Sequence, residues 1–178
     1  MYKRQLDNCV EKGSADYNQY VGEAYYFRAW YYYQMFISYG RLTWVNTPLD
    51  PNMEEMKLPR ANRTIIADSI LADLDKAVMY LNTQNNSATM RIHKDVARAL
   101  KSEVALFEGT WEKYNGRGNA DETNGDGIQS GAGTVIPDNY PSIESLLTMA
   151  KECSGKFVEG GEYGNEYAVW MPDEELSG

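Results

Sequence analysis

The residues able to do chemistry are few and scattered. His93 is the one histidine, which excludes a two-histidine metal site and the His-Glu-x-x-His pattern that needs two imidazoles on one helical face. No Gly-x-Ser-x-Gly turn presents a nucleophilic serine. Gly116-Arg117-Gly118 and Gly131-Ala132-Gly133 lie in a loop and follow no strand, so neither supports phosphate binding. Paired carboxylates at helix ends can hydrolyse glycosidic bonds. Here Glu, Asp and Lys alternate along helix faces as they do on solvated surfaces, and no catalytic residue is expected. Only calcium finds a partial pattern. Glu122, Asn124 and Asp126 place oxygens at alternate positions ahead of Gly127, yet the position that should supply a bidentate glutamate is Gly133. Cys9 and Cys153 form neither a disulfide framework nor a metal knuckle. The expectation is no cofactor and no metal, calcium being the one partial fit.

Aromatic chemistry is the other candidate. Fourteen Tyr and four Trp stand against four Phe, and Tyr and Trp suit wet interfaces and sugar faces as well as cores. Trp44 and Trp170 are the tryptophans least absorbed into helical pattern, so they are the candidate ligand-facing rings; otherwise they cover a core edge. Glu23 and Arg28 sit inside an aromatic helix, where burial without a partner is costly. Each is expected to pair with a neighbouring helix or loop.

The elements that must position these residues read as helices. The first spans about 20–39 and closes at Gly40; apolar side chains occupy nearly every face, predicting a helix sandwiched by neighbours with Phe27 and Trp30 buried. The second spans about 64–81, with Thr64 as N-cap, Asp68 in the first turn and one stripe from Ile66 to Leu81. A third spans about 94–108, with His93 as a capping or turn residue before it and Gly109 closing it. A fourth follows Pro141 with Ser142 as N-cap, and a short helix before Gly13 is also expected. Residues 41–63 read as an ordered crossing segment, 115–140 as a long flexible loop without period, and 165–178 as a polar acidic tail. No segment reads as a strand. The fold class is all-α: stacked antiparallel helix pairs, a tetratricopeptide-like α-solenoid without a strict 34-residue repeat.

The 178 residues are one domain's worth. A formal net charge of −9 argues against nucleic acid as partner. No apolar run is long enough to span a bilayer, and the polar start, Met1-Tyr2-Lys3-Arg4, carries no leader pattern.

With the elements in place, a resemblance emerges. Glu23-x-x-x-Phe27-Arg28-Ala29 resembles the Glu-x-x-x-aromatic-Arg-Ala helix of SusD/RagB-type proteins, and Gly40-Arg41-Leu42-Thr43-Trp44 resembles the turn that follows it, with Thr43 where that family usually has proline. The segment from Pro59 to Asn82 is similar to the family's Pro-Arg segment and second helix. The stretch ending Glu108-Gly109-Thr110-Trp111-Glu112-Lys113-Tyr114 looks like its third helix, where Trp111 and Tyr114 would anchor the long loop. The final helix with Gly155-Lys156-Phe157 resembles its closing helix. The match covers roughly 18–165 in order.

The resemblance implies a non-catalytic nutrient-binding lipoprotein of the Bacteroidetes outer membrane, exposed at the cell surface. It would capture glycans, or peptides in RagB-like members, for a TonB-dependent SusC-like transporter. This chain, a single helical region over 1–178, would be part of a longer SusD-like protein held peripherally on the membrane by a lipid anchor outside it. Two other readings stay open: a helical-repeat scaffold for protein–protein contact with no small ligand, and a fragment of an α-helical glycosidase.

Overall fold

The computed structural model describes residues 12–47, 57–84, 91–118, 131–158 and 161. Helix α1 (Ala15–Tyr39) begins ahead of the expected residue 20. Gly13 turns the chain at φ 89°, and the Ser14 hydroxyl accepts the Tyr17 N–H at 3.1 Å, so a cap and not an apolar stripe sets the start. It ends at Gly40 (φ 64°), whose N–H donates to the Phe36 carbonyl.

Helix α2 (Arg63–Tyr80) is capped by Asn62, not Thr64, and has no acid in its first turn. Thr64 is instead the second helical residue, and its hydroxyl donates to the Val135 carbonyl at 2.6 Å. Helix α3 (Lys94–Asn115) does not stop at Gly109. It runs to Gly116 (φ 94°), and Gly109 is a contact residue: a Cβ there would sit 3.1 Å from both Leu146 Cβ and Leu147 Cδ2. The glycine permits close helix approach instead of ending the helix. Helix α4 (Ile143–Gly155) opens at Ser142, whose hydroxyl accepts the Ser145 N–H at 3.1 Å.

The four helices stack as consecutive antiparallel pairs. Arg28 meets Asp73 and Phe36 meets Arg63 across α1 and α2. Lys101 meets Asp75 and Glu108 meets Arg63 across α2 and α3. The Ser102 hydroxyl reaches the Ala150 carbonyl across α3 and α4. Among the described residues there is no strand, only the isolated bridge Leu42–Ala61, where the Ala61 N–H donates to the Leu42 carbonyl at 2.7 Å. The fold is all-α, of tetratricopeptide-like stacked pairs. No helix of the described residues is long and apolar enough to cross a membrane.

Burial corrects one expectation. The central helix is α2, with Ile66, Ala67, Ile70, Leu74 and Ala77 fully buried between α1 and α3. Helix α1 buries one side only, through Tyr26, Ala29, Tyr33 and Phe36. Phe27 (47% exposed), Trp30, Tyr31 (62%) and Met35 face outward. Apolarity around a helix predicts burial only where neighbours cover each face, and among the described elements α2 supplies nearly all of α1's cover.

The expected helix before Gly13 and the acidic tail lie outside the described residues, as do residues 119–130 of the 115–140 loop.

Candidate functional site

Three polar clusters are built into the apolar stack. At one end, Glu23 of α1 accepts two hydrogen bonds from Arg91, both 2.7 Å, ahead of α3. Gln19 joins it, donating to the Ile92 carbonyl at 2.7 Å and accepting the Asn82 N–H at 2.9 Å. Partial burial raises the Glu23 carboxyl, but Arg91 and Gln19 outweigh that and hold it below the usual carboxylate range. Midway, Arg28 makes a bidentate pair with buried Asp73 of α2 at 2.5 and 2.6 Å. Its guanidinium lies 5.1 Å from the Trp44 ring centre and 5.5 Å from that of Tyr25. Glu23 and Arg28, one turn and a half apart on α1, therefore pin the helix to two different partners.

The third cluster is the most buried. Arg63, at the first turn of α2, donates through Nε to both Glu108 carboxylate oxygens at 3.1 and 2.8 Å, and its Nη2 is 2.7 Å from Oε2. Its planar face lies 4.1 Å from the Phe36 ring centre and 3.9 Å from that of Trp111. One turn on, Glu112 accepts the Tyr140 hydroxyl at 3.0 Å, and Arg117 Nη1 lies 3.4 Å from its Oε2. Neither acid has any exposed surface. Burial pushes the Glu108 carboxyl up to about 7 against the opposing pull of Arg63. Burial raises Glu112 as well, opposed by Arg117 and Tyr140, and burial beside the two acids raises the Tyr140 hydroxyl.

Of the candidate ligand-facing rings, Trp44 is half-buried against the core with Tyr32 at 4.2 Å between ring centres; the Tyr32 hydroxyl accepts the Val45 N–H and donates to the Thr43 carbonyl. Trp170 lies outside the described residues, as do Glu122, Asn124 and Asp126 of the calcium-like segment and Cys9. Trp111 packs on Arg63, whereas Tyr114 is 80% exposed. His93 precedes α3 as its N-cap residue, its Nδ1 3.5 Å from Asp95. Cys153 is a half-buried free thiol on α4. Among the described residues, no three His, Cys, Asp or Glu side chains gather as a metal cluster. Two shallow open grooves flank α4. One, of about 470 Å³, is lined by Lys113, Ile143, Leu147 and Lys151; the other, of about 540 Å³, by Lys101, Met149, Glu152 and Cys153.

Arg63, Glu112, Arg117 and Tyr140 carried no sequence signal under a third helix ending at 108. The available signal was the spacing of Glu108 and Glu112, which puts both acids on one face once the helix is allowed through Gly109.

Comparison with known proteins matches the same region. A SusD-like family model, described as starch-binding associating with outer membrane, matches residues 4–106, more than half of the chain. A SusD-like protein of Bacteroides fragilis of known structure is 26% identical over 64% of this chain, with a TM-score of 0.54. A SusD superfamily protein from the same organism covers 96% of this chain at 21% identity and a TM-score of 0.57, a likeness of fold. This chain covers only 23% and 28% of those two proteins' own lengths. No curated protein matches. With the family match running from residue 4 through most of α3 and the stacked pairs shared with both solved structures, the chain belongs to the SusD-like family.

Proposed function

We propose that these helices are part of a longer, non-catalytic receptor that captures glycans, or peptides, at the cell surface. It would hand them to a TonB-dependent SusC-like transporter. The observation that carries the reading is the family match over residues 4–106, whose description names starch binding and outer-membrane association. A lipid anchor outside this chain would hold the receptor on the membrane.

The geometry supports a binding rather than a hydrolytic role. Asp73, Glu23 and Glu108 are each locked to a guanidinium, and Glu108, whose carboxyl burial pushes up to about 7, has no surface through which to reach a glycosidic oxygen. Trp44 and Trp170 remain the rings proposed to face ligand, Trp44 braced by Tyr32 and Arg28. Calcium at Glu122, Asn124 and Asp126 is not part of the proposal.

A second reading, a helical interaction scaffold, is favoured by one observation: the outward aromatic face of α1 at Phe27, Trp30, Tyr31 and Met35. Affinity purification of the tagged protein from outer membranes separates the two. Capture and delivery predict a TonB-dependent transporter as the stoichiometric partner. Recovery of other proteins with no transporter would overturn the proposal.

A further inference from the structure

Trp44 is held by more than packing. One hydroxyl ties the backbone on both sides of it: the Tyr32 O–H donates to the Thr43 carbonyl at 3.1 Å and accepts the Val45 N–H at 2.8 Å. One residue earlier, the Leu42 carbonyl accepts the Ala61 N–H at 2.7 Å, and the Thr43 hydroxyl donates to the Leu58 carbonyl at 3.4 Å. Leu42, Thr43 and Val45 are thus fastened to α1 and to the segment ahead of α2, with Trp44 between them. The side chain is fixed as well. The Tyr32 ring lies 4.2 Å away between centres, inclined by 39°, and the Arg28 guanidinium sits 5.1 Å from the indole centre.

What this arrangement leaves open points to a ligand. Trp44 is half-buried, and its indole N–H is neither buried nor hydrogen-bonded to any described residue. A tryptophan absorbed into a core usually finds a partner for that N–H. The cation beside the ring is already matched, because Arg28 gives Nε and Nη2 to Asp73 at 2.5 and 2.6 Å. The platform therefore has no uncompensated charge with which to select an anion. A fixed apolar ring with a free donor at its edge suits a neutral pyranose, whose C–H face stacks on the ring while a hydroxyl oxygen accepts from the N–H.

We propose that Tyr32 is a positioning residue for ligand: its hydroxyl, bridging the backbone on either side of Trp44, holds the indole as a preformed stacking surface for a neutral pyranose, a role that rests on the reading of the chain as part of a glycan receptor.

The size of the effect follows from preorganisation. Without the bridge, the turn and its indole must be ordered when the sugar arrives, and ordering one side chain on binding weakens affinity by roughly threefold to tenfold. Tyr32→Phe keeps the ring beside Trp44 and removes only the oxygen, so it isolates the bridge.

Calorimetric titration of the full-length protein and of its Tyr32→Phe variant with malto-, xylo- and manno-oligosaccharides, at a temperature where both are folded, is the test. The variant should bind about fivefold more weakly, and a galacturonate oligosaccharide should bind the parent no more tightly than the neutral sugars do. A hydroxyl with a purely structural role would lower the unfolding midpoint and leave the affinity of the folded protein unchanged. Equal affinities for parent and variant would therefore overturn the role of Tyr32 while leaving glycan capture standing, whereas no binding of any of these sugars by the parent would count against both. Preference for the galacturonate would overturn the neutral platform. Should Tyr32→Phe fail to fold, relaxation of the indole nitrogens in the parent 178-residue chain decides. A Trp44 indole as rigid as that of Trp111, which packs on Arg63, supports the bridge, and one that reorients freely on the nanosecond scale refutes it.

Discussion

Replacing Gly22 by Ala sets two effects of opposite sign against each other. In an exposed helix interior, Gly→Ala stabilises by about 1 kcal/mol through backbone entropy. At Gly22 of α1, however, a Cβ would lie 2.7 Å from Leu81 Cγ, 2.8 Å from the Leu81 backbone nitrogen and 2.9 Å from its Cδ2. Leu81 cannot yield cheaply, since its side chain is buried and its N–H is bound to the Ala77 carbonyl at 2.9 Å. The end of α2 must therefore move away from α1. Overpacking of this kind costs roughly 1–3 kcal/mol, with contact against backbone at the upper end. Subtracting the propensity gain leaves a net loss of about 2 kcal/mol. With a urea m-value of about 2 kcal/mol/M, the unfolding midpoint should fall by about 1 M. Gly155→Ala, where a Cβ meets nothing within 4 Å, is the control and should leave the midpoint within about 0.3 M. A raised midpoint for Gly22→Ala would show that α1 and α2 do not meet as described.

Further outcomes follow from burial. Phe36→Ala, at a fully buried ring, should cost about 3–5 kcal/mol, while Phe27→Ser and Tyr31→Ser on the outer face of α1 should each stay within about 0.5 kcal/mol in denaturant titrations of this chain. Arg63→Met should cost about 3–5 kcal/mol at pH 8 because it strands Glu108 without its guanidinium; the loss should shrink at pH 6, where Glu108 takes up a proton, and a loss that grew with acidification would contradict the electrostatics.

Helix existence and order were legible in the sequence because the apolar stripes of α2, α3 and α4 repeat at helical spacing over three or more turns. Helix ends were less so. Gly40 and Gly116 end helices with positive φ, whereas Gly109 lies inside one, and nothing in local sequence separates a glycine that terminates a helix from one that admits a neighbour. That ambiguity hides the buried cluster, because a helix closed at Gly109 leaves Glu112 and Trp111 off the inward face of α3. The outward half of α1 was misjudged for a related reason: the pattern records which side chains are apolar, not which faces receive a partner. The pairing of Glu23 and Arg28 needed no pattern, only the cost of leaving a charge unpartnered among tyrosines.

The central claim is capture without cleavage, and titration calorimetry of the full-length protein against starch oligosaccharides and peptides, with chromatography of each mixture afterwards, tests it most directly. The account predicts saturable binding to at least one ligand class, ligand recovered intact, and millimolar or undetectable affinity for the 178-residue chain alone, because immobilising a ligand costs several kcal/mol that one or two aromatic rings do not repay. Hydrolysis products, or no binding by the full-length protein to any glycan or peptide tested, would contradict it.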